Sequence, residues 1–123
     1  MLLLDTSFII ELENEVMARA NGPAKRFLAS HSGQAVAISI ISLGEFAEGF
    51  DNKLDVESFI TRFRVIQLSR AIAYKAAAMQ RVLKQRLGEN DAWIAATALV
   101  YDADLAGNEK AFSRVPRLKY KVL

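Results

Sequence analysis

The chain has no cysteine among its 123 residues. Disulfide bonds and thiolate metal sites are therefore excluded, and a reducing cytoplasm is the expected compartment. With one histidine and no glycine-rich phosphate loop, the sequence predicts neither a histidine-based catalytic triad nor a nucleotide-binding fingerprint. No uncharged apolar run approaches the ~20 residues of a membrane helix. The apolar N-terminus also lacks the basic flank of a signal peptide, so no membrane partner is expected.

Apolar residues are plentiful, and charge is unevenly distributed. Hydrophobic residues make up 52% of the chain, which is enough for the core of a single domain spanning residues 1–123. Residues 1–60 carry nine acidic and four basic side chains, whereas residues 61–123 carry five acidic and twelve basic ones. A polyanion such as a nucleic acid suits the basic half, although the solvated surface of long helices explains the same pattern.

Short apolar runs alternate with stretches of helical periodicity. Strands are predicted at residues 1–4, 35–39, 65–68 and 104–106, with an edge strand at 118–123. Helices are predicted at 7–13, 14–32 with a restart near Pro23, 40–49, 56–64, 70–87 and 91–101. Thr6, Ser39 and Asn90 are the expected N-caps, Gly88 the expected C-cap, and Trp93 is assigned to the core. This alternation predicts an α/β three-layer sandwich, with a mostly parallel, short-stranded central sheet and helices on both faces.

Acidic residues follow several of these strands. Asp5 ends the apolar run MLLLD, where a carboxylate must be paired, metal-bound or solvated. Glu45 lies on the helix after the second strand, and Asp91 begins the helix after the longest one. Ligands of parallel sheets bind beyond the carboxyl ends of the strands, so these carboxylates can meet at one edge and bind Mg²⁺ or Mn²⁺. Each also has an ordinary alternative: Asp91 suits a helix N-terminus, and Glu45 a surface position.

Four segments together resemble a known family. They are LLLDTSFII near the N-terminus, SLGEFAEGF in the middle, and ENDAWIAATAL followed by DLAGNEKAFSRVPRLKYKVL near the C-terminus. Over essentially its whole length the chain resembles the PIN domain, in the form found in VapC-type toxins of bacterial and archaeal toxin–antitoxin pairs. The resemblance implies a PIN-like fold and a Mg²⁺- or Mn²⁺-dependent endoribonuclease that hydrolyses RNA phosphodiester bonds.

The same resemblance assigns roles to individual residues. Asp5, Glu45 and Asp91 match catalytic acids of the family and would hold the metal. A fourth acid is usual where this chain has Ala111, so Glu109 becomes the candidate fourth catalytic acid. Side chains expected to support the carboxylates are Thr6, Ser7 and Asn108. Basic side chains expected to hold the RNA backbone are Arg81, Lys84, Arg86 and Lys110.

Partners and competing functions also follow from the resemblance. Such toxins are usually homodimers and are inhibited by a cognate antitoxin, here a VapB-like protein. The candidate antitoxin contacts are Phe8, Ile9, Leu12 and Phe50, although packing against the sheet explains them equally well. The alternative function is a catalytically impaired PIN-like module that binds RNA or protein, which the absence of an acid at position 111 favours. A haloacid-dehalogenase-type phosphatase is disfavoured, because Ser7 stands where its second aspartate belongs.

Overall fold

A five-stranded, all-parallel sheet forms the middle layer of the fold. The computed structural model describes residues 1–123, and its strands are β1 (Leu2–Leu4), β2 (Val36–Ser39), β3 (Arg64–Ile66), β4 (Asp104–Gly107) and β5 (Tyr120–Val122). Their order across the sheet is β3-β2-β1-β4-β5, and every neighbouring pair is parallel. The predicted α/β fold is confirmed, and the predicted C-terminal strand does lie at the edge.

Six helices cover the two faces of this sheet. They are α1 (Thr6–Ala18), α2 (Pro23–Ser30), α3 (Ile40–Ala47), α4 (Lys53–Ile60), α5 (Arg70–Val82) and α6 (Glu89–Val100), and a 3₁₀ helix spans Lys110–Arg114. Successive strand residues point to opposite faces. Leu3 therefore joins a core that contains residues of α5 and α6, while Leu2 and Leu4 join a second core built from the other helices. No helix is both long enough and apolar enough to cross a membrane.

The first helix is longer than predicted. The expected break after residue 13 is wrong, because α1 continues to Ala18 and ends at Arg19 in a left-handed conformation with φ 54°. Its N-cap is Asp5 rather than Thr6, since the Asp5 side chain accepts a hydrogen bond from the backbone N–H of Phe8. The carboxylate that ends β1 therefore also begins α1.

The longest predicted helix is shorter in the structure. Helix α5 ends at Val82 rather than residue 87, and Leu83 is extended with ψ 129°. The side chain of Gln80 donates to the carbonyl oxygen of Leu87 at 2.9 Å and accepts from its N–H at 3.0 Å, which stabilises an irregular segment instead of another helical turn. Gly88 is the N-cap of α6 rather than the C-cap of α5, and the predicted N-cap Asn90 lies inside α6. Leu87 fits the apolar spacing of a longer helix, but it belongs to the loop after α5 and is buried there. The spacing therefore predicted a helix that is too long.

Candidate active site

Four carboxylates line one cleft beyond the carboxyl ends of the central strands. Asp5 follows β1, Glu45 lies on α3, Asp91 lies in the first turn of α6, and Glu109 follows β4. The cleft has a volume of about 130 Å³, and the rest of its lining consists of Thr6, Ser7, Ile94 and Phe112. No basic side chain lines it. The structure thus brings together the four acids that the sequence singled out.

Asp5 is held by donors on both of its carboxylate oxygens. Asp5 is buried, with only 1% of its surface exposed to solvent. Oδ1 accepts from the hydroxyl of Ser7 at 2.6 Å and from the N–H of Phe8 at 2.9 Å, while Oδ2 accepts from the hydroxyl of Tyr120 at 2.8 Å. Burial raises the pKa of Asp5 above its usual value, and these three hydrogen bonds oppose that rise. The charge of Glu109 adds to the rise.

The segment after β4 is shaped around Asp5. A Cβ atom at Gly107 would lie 1.9–2.1 Å from the Asp5 carboxylate, so only glycine leaves room for it there. The next N–H, of Asn108, donates to the Ser7 hydroxyl at 2.8 Å, and the following one, of Glu109, donates to the Tyr120 hydroxyl at 2.7 Å. Gly107 thus leaves room for Asp5, and the next two backbone N–H groups bind the hydroxyls of Ser7 and Tyr120, which donate to it. Asn108 acts here through its main chain rather than through its side chain.

Glu45 is oriented by side chains from two other helices. The Thr6 hydroxyl donates to Oε1 of Glu45 at 2.5 Å, and the Asn90 side-chain amide donates to Oε2 at 3.2 Å. The Thr6 hydroxyl oxygen also lies 3.2 Å from the hydroxyl oxygen of Ser42. These contacts hold the half-buried carboxylate in one orientation, between the N-terminal ends of α1 and α6.

The pKa of Asp91 is raised in the cleft, in part by the negative charges of the other acids. Burial is the largest cause that raises the pKa of Asp91, followed by the charges of Glu109, Glu45 and Asp5. The guanidinium of Arg114 acts in the opposite direction. Arg114 also donates to the side-chain oxygen of Gln85 at 3.0 Å. Carboxylates that raise one another's pKa are close enough to repel, so a cation between them would be stabilised.

The donor set fits a hard divalent cation. Every candidate ligand is a carboxylate oxygen, which is the donor that Mg²⁺ and Mn²⁺ prefer. Asp5 Oδ2 receives only one hydrogen bond, which leaves one of its acceptor positions free for a cation. No three acidic or histidine side chains form a compact group that already has the arrangement of a metal site. The cleft therefore supplies the right atoms without a preformed cage.

Several expected functional residues lie outside the acidic cleft. Arg81 and Arg86 line a separate cleft between α5 and α6. Lys84 and Lys110 are exposed and line neither cleft. Ala111 does not line the acidic cleft either, and its backbone N–H donates to Oε1 of Glu109 at 3.4 Å. Glu109, rather than position 111, is thus the residue that faces the other acids.

The expected apolar contact surface on α1 requires a correction. Phe8 and Ile9 are fully buried and Leu12 is 3% exposed, because they form the face of α1 that packs against the sheet. They cannot contact a partner without unfolding of the core. Phe50 is half-buried and lines a groove on the outer surface together with Met17, which is 74% exposed.

Sequence reasoning overlooked three residues of the site. Gly107 makes room for Asp5, Tyr120 donates to it, and Asn90 holds Glu45. A glycine directly after an apolar strand was the one available signal, since such glycines often mark close backbone approaches. Tyr120, more than a hundred residues from Asp5 in sequence, gave no local signal.

The PIN domain family matches residues 2–118, which is nearly the whole chain. The chain belongs to the PIN domain family. This PIN domain has a fold similar to a chain in the structure of VapBC2 from Rickettsia felis bound to a DNA fragment from their promoter. The TM-score is 0.81 at 23% identity, covering 99% of this chain and 98% of that one. Among curated proteins, none matches the chain.

Two further solved structures share the fold of this PIN domain. A chain of VapBC-1 from nontypeable Haemophilus influenzae gives a TM-score of 0.80 at 26% identity, covering 98% of this chain and 96% of that one. VapC20 of Mycobacterium tuberculosis, described as a sarcin-ricin loop cleaving toxin, gives 0.69 at 20% identity, covering 97% and 98%. The family and the fold of the chain are therefore established.

Proposed function

We propose that this PIN domain is a Mg²⁺- or Mn²⁺-dependent endoribonuclease, a VapC-like toxin that a cognate antitoxin holds inactive. The observation that carries the proposal is the convergence of Asp5, Glu45, Asp91 and Glu109 on one small cleft without a basic side chain. An arrangement of this kind is costly for a fold, because the charges repel and two of the pKa values rise. A reaction on a phosphate that requires a bound cation would explain why the fold keeps these repelling charges together.

The chemistry divides among the residues as follows. A divalent cation at this site would lower the pKa of a bound water and neutralise charge on the phosphate. Asp5 and Asp91 offer the carboxylate oxygens that face it. Glu45, held by Thr6 and Asn90, orients the attacking water. Ser7 and Tyr120 hold the carboxylate of Asp5 in one orientation through their hydroxyl groups.

The inhibitory partner is proposed to be a VapB-like antitoxin. The Haemophilus chain, 26% identical to this one, comes from a VapBC structure, which supports a partner of this class. Four carboxylates in one cleft would also attract a guanidinium from a partner protein. We place the apolar part of the contact at the groove lined by Met17 and Phe50, in place of the buried face of α1. A homodimer and a cytoplasmic location remain expectations.

A second function is favoured by one departure from the family. Ala111 occupies the place of the usual fourth acid, and it does not line the cleft. Without that acid, a PIN domain could bind RNA or protein without cleaving it. Glu109 argues against this alternative, because it faces the cleft and already raises the pKa of Asp5 and Asp91.

Cleavage of total RNA by the purified protein tests the proposal. Reactions with Mg²⁺, Mn²⁺ or EDTA are run beside Asp5→Asn and Asp91→Asn, with the exposed Asp51→Asn as the matched control. Asparagine caps a helix as well as aspartate does, so Asp5→Asn is expected to fold. Discrete metal-dependent fragments made by the wild type and by Asp51→Asn, but missing with both site variants, are expected. Fragments that persist in a folded site variant would refute the proposed site.

A further inference from the structure

A second cleft lies between α5 and α6 and combines two arginines with a tryptophan. Its volume is about 380 Å³, and it is lined by Gln80, Arg81, Arg86, Glu89 and Trp93 together with four alanines. The alanines let the two helices pack closely. We call this surface the α5–α6 cleft.

The two arginines of this cleft have no partner within the protein. The ion pairs of the structure all involve Lys119 or Lys121. Arg81 and Arg86 are exposed, and neither makes a side-chain hydrogen bond, although Glu89 lines the same cleft. Two unpaired guanidinium groups at one cleft are suited to phosphate, which they bind through two parallel N–H donors.

Trp93 adds a flat apolar surface beside these charges. The prediction that it belongs to the core is only partly right, because Trp93 packs against the core yet stays half-buried and lines the cleft. An accessible indole beside cations is a platform on which a nucleobase can stack. An apolar protein contact would explain Trp93, but it would not explain the unpaired arginines beside it.

Arg86 is held in place by the loop that precedes α6. Gln80 binds both backbone groups of Leu87 through its side-chain amide, and Gln80 itself is buried. The position after Arg86 is thereby fixed relative to α5, which also carries Arg81. The backbone segments that carry the two arginines are therefore tied to each other.

The α5–α6 cleft and the acidic cleft lie on either side of the first turn of α6. A shallow depression lined by Glu45, Gly88, Glu89, Asn90 and Asp91 joins the two. Glu89 also lines the α5–α6 cleft, while Glu45 and Asp91 also line the acidic cleft. Residues four apart share a helix face, so Glu89 and Trp93 lie on one side of α6 with Asp91 on the other. A strand that crosses this turn would reach both clefts.

We propose that the α5–α6 cleft binds a nucleotide of the single-stranded RNA substrate next to the bond that is cleaved. The base stacks on Trp93, and Arg81 and Arg86 bind the adjacent phosphates. The inference rests on the proposed function, and it names where the substrate continues beyond the acidic cleft. In this arrangement the phosphate contacts contribute affinity, and the base in the cleft contributes selectivity.

Trp93 is the only tryptophan, so its fluorescence reports directly on this cleft. The protein in EDTA is titrated with an unstructured RNA of about ten nucleotides, a length within the range of single-strand binding sites. An abasic ribose-phosphate strand of equal length serves as the comparison. The RNA is expected to quench Trp93 saturably. The abasic strand is expected to bind roughly tenfold more weakly, without quenching, because it has no base to stack.

Two matched variants complete the design. The double variant Arg81→Gln/Arg86→Gln is expected to bind the RNA at least about tenfold more weakly. The slope of its affinity against salt concentration, both on logarithmic scales, should become shallower by about 0.7 for each phosphate that is no longer bound. Lys75→Gln removes an exposed charge from the same helix outside the cleft, and its affinity is expected to stay within about twofold of the wild type.

Three outcomes of the fluorescence titration would overturn the inference. The first is that the RNA does not quench Trp93, and the second is that the RNA and the abasic strand have equal effects. The third is that Trp93 emission changes with protein concentration in the absence of RNA, which would indicate that a second copy of the chain fills the cleft. Cleavage assays run in parallel separate this inference from the proposed function. Wild-type cleavage that the double variant reproduces at the same rate refutes the nucleotide site alone. Saturable quenching of Trp93 by the RNA, together with no metal-dependent cleavage anywhere in total RNA, refutes the ribonuclease alone.

Discussion

Removing the hydroxyl of Tyr120 isolates one contact of the buried carboxylate. In Tyr120→Phe, Asp5 loses its only donor to Oδ2. A hydrogen bond to a charged group contributes about 1.5–3 kcal/mol, so we expect a loss of roughly 2 kcal/mol in the free energy of unfolding near neutral pH. The N–H of Glu109 also loses its acceptor, but it is exposed and can bind water instead. The same loss would raise the pKa of Asp5 further, because the Tyr120 hydrogen bond is one of the contacts that lower it.

The pH dependence distinguishes this contact from general packing. Because the pKa of Asp5 is raised in the folded state, its ionisation disfavours folding at neutral pH, and this penalty disappears as the pH falls through that pKa. Protonation also turns the Tyr120 contact into a neutral hydrogen bond, which contributes only about 1 kcal/mol. The destabilisation caused by Tyr120→Phe should therefore shrink to roughly half on acidification.

Urea unfolding followed by circular dichroism, from about pH 7.5 down to about pH 4, measures this difference. Tyr74→Phe is the matched control, because Tyr74 is 73% exposed and its hydroxyl has no partner. The control should change stability by less than about 0.5 kcal/mol at every pH. The reasoning is refuted if Tyr120→Phe behaves like the control, or if its loss of stability does not vary with pH.

Three further substitutions test other contacts. Gly107→Ala should lower the free energy of unfolding by about 1–3 kcal/mol or more, because its Cβ would overlap a buried carboxylate. Gly44→Ala is the control, because a Cβ there would meet nothing within 4 Å. Equal stability of the two variants in urea would contradict the prediction. Glu109→Gln should lower the pKa of Asp91 by removing the largest of the repelling charges; an unchanged carbon NMR titration would disprove the coupling. Glu15→Gln should cost about 1 kcal/mol at neutral pH in thermal melts, because its carboxylate caps α2. Burial alone would raise the pKa of Glu15, but the capping N–H groups lower it, so this cost should fade below about pH 4.5.

The sequence was most informative where one rule acts on neighbouring residues. An apolar run of three leucines ending in Asp5 predicts both a central strand and a ligand position at its carboxyl end, and both are observed. The leucines are buried on both faces of the sheet, which is why the run does not alternate. Glu45 could be placed for the same reason, because α3 follows β2 directly, whereas Asp91, whose helix follows α5, was assigned by the resemblance of its segment to the family.

Contacts between distant segments could not be predicted. The end of α5 depends on the amide of Gln80, which binds Leu87 only once the chain has turned back. The contact of Tyr120 with Asp5 depends on the parallel pairing of β5 with β4. Neither leaves a periodic pattern. Glu109 was an uncertain candidate by sequence because position 111 was the expected one, and only the backbone path after β4 shows which side chain faces the cleft.

The double role of Asp5 has a consequence for how the proposed activity can be lost. Asp5 caps α1 and also faces the cleft, and asparagine can perform the first role but not the second. Aspartate and asparagine codons differ by one base. A lineage under pressure from the proposed toxin can therefore silence it in one step without producing an unfolded chain that burdens chaperones.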